Sequence, residues 1–197
     1  VGRGGWLDAD AIGTAMVEAA GDESGLYRGL RYEPAAAPVS HGTHVLDLAA
    51  GRPDPLSRRV PGVGPVREGR AADAPIIAVQ LPYRPRKDPA GQALGPDVLE
   101  ALHFIARLVP AGQSVVVNLS DGAYGGPHDG LSLAERAIDD FLDRHPNVHL
   151  VVAAGNAGGL DLHAEGKCAL LETVSVDWVL RPDDRTDSFC EIWFDRR

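Results

Sequence analysis

Apolar residues recur along this chain at helical spacing over some stretches and in unbroken runs over others, and the alternation of the two predicts its elements. From Asp8 to Ala20 the apolar positions Ile12, Met16 and Ala19 follow a helical period, with Asp8 or Asp10 as the N-cap. A loop rich in Gly, Pro and Ala continues to Ser40. His41 to Ala50 reads as the start of another helix, with Val45, Leu48 and Ala49 facing inward and Gly51 ending it. The Pro-, Gly- and Arg-dense stretch from Arg52 to Arg70 predicts an exposed connection. The run from Ala74 to Leu81 is nearly continuously apolar and of strand length, the pattern of a parallel strand covered on both faces. Gly95-Pro96-Asp97 opens a helix to Leu108, with Val98, Leu102, Ile105 and Ala106 on one face. A strand over Val115 to Ser120, a helix over Leu131 to Asp143 and a strand over Val148 to Ala154 complete the series.

Strand, helix, strand, helix, strand with short connections predicts an α/β fold built on a parallel sheet with right-handed crossovers. After Gly159 the pattern changes. Glu172 to Leu180 and Ser188 to Phe194 are rich in β-branched and aromatic residues and flank Arg181-Pro182-Asp183-Asp184-Arg185, which predicts an antiparallel hairpin with Trp178 and Trp193 packed across it. Residues 1–159 are therefore expected to form the core, and residues 160–197 a β-rich insertion or extension of the same domain.

The length of 197 residues suffices for one substantial domain, and 44% hydrophobic and 24% charged residues are ordinary for a globular protein. A formal net charge of −9 argues against a nucleic-acid partner, because affinity for a phosphate backbone comes mostly from Lys and Arg. The short basic group Arg84-Pro85-Arg86-Lys87 reads as a solvated loop. No stretch is apolar enough for a membrane span, and no basic-then-apolar leader is present. The chain starts with Val1 rather than Met, which leaves both an extracellular and a cytoplasmic compartment open. Cys168 and Cys190 match no disulfide framework or metal-ligand set, so buried free thiols are expected.

Candidate chemistry sits in two Gly-containing segments at the ends of apolar elements. Ser40-His41-Gly42-Thr43-His44-Val45 places His41 at a helix start. The spacing of His41 and His44 would suit two metal ligands on one helix face, but no third ligand completes a set and no metal is expected. Calcium is not indicated either, since no oxygen-rich loop of suitable spacing occurs, and no cofactor is implied. Asn156 follows Val151-Val152-Ala153-Ala154-Gly155, a buried strand and a permissive corner that could aim its amide into a site.

Together these segments resemble the subtilisin-like serine peptidases, over about residues 40 to 157. The resemblance implies a partial subtilisin-like three-layer α/β fold, with His41 as the general base and Asn156 as the oxyanion donor. Val117-Asn118-Leu119-Ser120-Asp121-Gly122 is similar to the family's substrate strand, with Asp121 where the pattern has an apolar residue, so Ser120, Asp121 and Gly122 are implied to pair with a polypeptide substrate. The nucleophilic Ser in a Gly-Thr-Ser helix start and the Asp that precedes the His are not found in their places. Gly13-Thr14-Ala15-Met16 has Ala for Ser and precedes His41. The chain order thus suggests a middle slice of a serine endopeptidase, inactive by itself. The alternative is a non-catalytic scaffold that keeps the cleft to bind peptides. An α/β hydrolase would need a Gly-x-Ser-x-Gly elbow, which is missing.

Overall fold

The computed structural model describes residues 5–30, 32, 40–53, 68–82, 93–185 and 187–194. The Arg84 to Lys87 group and most of the Arg52 to Arg70 connection lie outside them. The chain divides into two compact units, Val1–Ile77 and Ala78–Arg197.

The first unit is helical. Helix α1 (Ala9–Ala19) starts where the Asp8 carboxylate accepts the Ala11 N–H at 2.8 Å, and it stops where Ala20 turns left-handed at φ 47° ahead of Gly21. The apolar spacing places the helix correctly but not its buried side, because Ile12 and Met16 are exposed while Ala11, Ala15 and Ala19 are half-buried. Helix α2 (Glu23–Gly29), which the hydrophobic pattern does not announce, is started by Asp22 accepting the Gly25 N–H at 2.9 Å. Helix α3 (His41–Ala50) is capped by Ser40, whose Oγ accepts from Thr43 N–H at 3.4 Å and from Thr43 Oγ1 at 3.0 Å. Of its expected inward face Val45 is half-buried, whereas Leu48 is 67% exposed. The end of α3 is tied to the following turn by Ala71 N–H on Ala49 O at 2.9 Å and by Arg52, which binds Ala72 O at 3.2 Å and pairs with Asp73. A side chain at Gly69 would collide with the Ala49 backbone at 2.6 Å, so that approach requires glycine.

The second unit holds the parallel sheet. Helix α4 (Leu94–Leu108) buries Val98, Leu102 and Ile105, the face its periodicity predicts. Strand β1 (Val115–Leu119) leads to helix α5 (Leu133–Arg144), and strand β2 (Val148–Val152) returns parallel to β1, with Val115 opposite Val148 and Leu119 opposite Val152. A parallel return requires a crossover, and α5 supplies it. Its start is fixed by a capping box: Ser132 Oγ accepts the Glu135 N–H at 3.2 Å, and the Glu135 carboxylate accepts the Ser132 N–H at 3.0 Å. Val98, Leu102, Phe141 and Val148 form the core, and Val115, Val117, Leu119 and Leu150 reach it from the sheet. Each fully buried side chain of this kind contributes about 1.5–3 kcal/mol. The helices cover one sheet face. On the other, Val116 and Val151 are exposed.

Three local expectations differ from this architecture. Ala74 to Leu81 forms no strand, although Leu81 packs on the core. Glu172 to Leu180 and Ser188 to Phe194 form no ladder, and although Asp184 N–H on Arg181 O at 3.1 Å does close the turn between them, Trp178 and Trp193 stay exposed. Strand propensity in these runs finds no partner edge, and without one an extended segment makes no sheet. Cys168 and Cys190 are free but exposed rather than buried. Among the described residues no helix is long and apolar enough to cross a membrane.

Candidate functional site

Parallel register decides where the chemistry emerges. Leu119 and Val152 are the last paired residues of β1 and β2, and one more bond, Ala153 N–H on Leu119 O at 3.1 Å, closes the ladder. Ser120-Asp121-Gly122 and Ala153-Ala154-Gly155-Asn156 therefore leave the sheet side by side at its carboxyl edge, where parallel α/β sheets place their ligands. Ser120 is half-buried; Asp121, Gly122 and Asn156 are exposed.

Local bonds shape both segments. Asn118 Nδ2 donates to Ser120 Oγ at 2.9 Å, which orients the hydroxyl at the strand end. The Asp121 carboxylate accepts the N–H of Gly122 at 2.8 Å, so the polar residue at this position folds back on its own main chain. Gly155 takes φ 89°, which turns the chain sharply after β2.

A residue the sequence reading did not single out joins the segments. Tyr124, on the loop after β1, accepts the Asn156 N–H on its phenol oxygen at 2.9 Å. Its ring also lies over Gly155, where a Cβ would stand 2.9 Å from Tyr124 Cε1. The only hint in the sequence is an aromatic residue inside the glycine-rich Gly122-Ala123-Tyr124-Gly125-Gly126. The loop is held at two further points. His128 Nε2 lies 2.9 Å from Tyr124 O, and since a carbonyl can only accept, that nitrogen carries the hydrogen. Glu191 accepts the Gly126 N–H at 2.8 Å and the Trp193 indole N–H at 3.1 Å, which brings the C-terminal stretch onto the same loop.

His41 is exposed at the first position of α3, in the first unit, whereas Ser120, Asp121, Gly122 and Asn156 all belong to the second. Those four lie on the segments that leave the paired strands β1 and β2 of the second unit. Among the described residues no group of three His, Cys, Asp or Glu side chains could hold a metal ion. Comparison with known proteins adds no relative, because no family model, curated protein or solved structure matches the chain.

Proposed function

We propose that this chain carries the general base and the oxyanion donor of a subtilisin-like serine endopeptidase, within a three-layer α/β fold of that kind and acting on polypeptide. The observation that supports it best is the common edge of β1 and β2, from which Ser120-Asp121-Gly122 and Asn156 emerge together. In this reading a substrate strand pairs with the main chain at Ser120 to Gly122 as an added strand, which presents its scissile carbonyl toward Asn156. His41 removes the proton from the attacking serine hydroxyl as the new C–O bond forms. The Asn156 side-chain amide donates to the oxygen on which negative charge develops, an interaction stronger in the transition state than in the bound substrate. The serine and the aspartate of the triad are not assigned to any residue of this sequence. A net charge of −9 suits a polypeptide better than a polyanionic nucleic acid.

The test uses a serine-directed fluorophosphonate. The 197-residue chain is expected to stay unlabelled, and a longer translation product in which it is joined to a Gly-Thr-Ser segment, as this reading requires, is expected to be labelled and to hydrolyse peptides. In that product His41→Ala should abolish labelling, because the serine is then a weak nucleophile at neutral pH. Stoichiometric labelling of the 197-residue chain, or parental turnover by His41→Ala, overturns the proposal. A product with no such serine that still binds extended peptides would be the non-catalytic scaffold instead.

A further inference from the structure

We infer that Tyr124 is a positioning residue for the oxyanion donor, an inference that rests on the peptidase reading of Asn156. Beyond Leu119 and Ala153 the two segments leave the ladder, and the Asn156 N–H on the Tyr124 phenol at 2.9 Å joins the loop after β1 to the corner after β2. Asn156 follows a glycine at φ 89°, and a glycine peptide on each side of such a corner rotates easily. The phenol fixes the main-chain N–H of Asn156, and with it the direction in which its Cα–Cβ bond leaves the corner. The ring lies on Gly155 in the space a Cβ would fill, so the corner is held by contact as well as by the hydrogen bond. Tyr124 is itself held at its carbonyl by His128 and, two residues on, by Glu191 at Gly126. The loop after β1 thus sets the Asn156 amide before substrate arrives. Preorganised donors act in the transition state because they need no rotation when charge appears.

Two measurements test this. In the 197-residue chain Tyr124→Phe keeps the ring and removes only the acceptor, so the Asn156 amide proton should shift upfield and exchange faster with solvent, while amides of β1 and β2 keep their protection. In the longer product that the peptidase reading requires, Tyr124→Phe should lower kcat about five- to tenfold, the worth of one hydrogen bond, with KM unchanged. The same change made on Asn156→Ala should cost nothing more, because a positioning residue has no effect once the group it positions is gone. An unaltered Asn156 amide, a loss carried in KM, or a further drop in the double variant overturns the role of Tyr124 and leaves that of Asn156 standing. Parental kcat in Asn156→Ala alone would overturn both.

Discussion

At the scale of single residues, Gly155 shows how a corner is specified twice. Its φ of 89° is one that L side chains rarely adopt, and Tyr124 fills the space beside it. The left-handed backbone alone costs a residue with a Cβ about 1–2 kcal/mol. Gly155→Ala should therefore lower the stability of the second unit by at least that much, read as a fall in the urea midpoint. Gly158 has open space around it and no such φ, so Gly158→Ala should change stability by no more than about 0.5 kcal/mol. Equal effects at the two positions would show that the corner is not strained in this way. Tyr27 offers a test in the first unit. Its phenol donates to Glu23 at 2.6 Å, and that bond to a carboxylate, with some desolvation and the negative charge beside it, holds its pKa above the ordinary 10.0. Burial pushes Tyr32 the same way. A phenol that ionises later in the folded chain stabilises it fully below pH 10.0, and the contribution is lost as pH rises through the folded value. Alkaline titration of the phenolate absorbance should show a late phase that diminishes in Tyr27→Phe. A phase of unchanged amplitude would assign it elsewhere.

At the scale of elements, what the sequence makes legible is what local chemistry decides. Asp8, one of the two N-cap candidates its helix offers, does cap α1, while Ser40 and Ser132 cap α3 and α5 by the same local chemistry, and the Ser132 and Glu135 pair closes a full capping box. Ser132→Ala should cost about 1 kcal/mol, measured by chemical denaturation. Val98, Leu102 and Ile105 repeat along α4 at helical spacing, and that face is the one buried. Leu102, only 1% exposed, is at the centre of the core, so Leu102→Ala should cost about 2–5 kcal/mol; a smaller loss would mean that the core collapses onto the gap. What was not legible depends on partners distant in sequence. Helix α2 is the local exception, because it is short and glycine-bearing and shows no apolar period although its Asp22 cap lies only three residues from Gly25. The apolar runs 74–81 and 172–180 have strand composition, but a strand exists only where a second edge accepts its hydrogen bonds. The candidate site divides the same way. The string ending in Asn156 points to an amide at a strand end, and the parallel register brings the segment that leads to it out of the sheet beside Ser120. The bond from Asn156 N–H to Tyr124 spans 32 residues, and no local pattern announces it.

For the whole molecule the balance of buried and exposed apolar side chains sets the expectation. Among the described residues only Val98, Leu102, Ile105, Phe141 and Val148 are buried hydrophobics, all of them in the second unit. Leu171 and Ile192 are 97% and 83% exposed, and Val116 and Val151 leave one face of a sheet in water. Burial of apolar area is the main favourable term in folding, and it must offset a chain entropy of similar size. A core this small should give a shallow transition. The urea m-value is expected at or below the low end of the usual range of about 1–3 kcal/mol/M, since m follows the surface newly exposed on unfolding. The uncovered side chains should bind a hydrophobic dye such as anilinonaphthalene sulfonate in the folded chain, and contiguous patches of that kind promote association. Opposing this, a net charge of −9 makes copies repel one another over a Debye length that shrinks from about 30 Å at 0.01 M salt to about 10 Å at 0.1 M. Self-association followed by sedimentation should therefore increase with salt over that range, with dye binding falling as the patches meet. A monomer at both ionic strengths that binds no dye and unfolds with a steep transition would mean that these side chains are covered in solution.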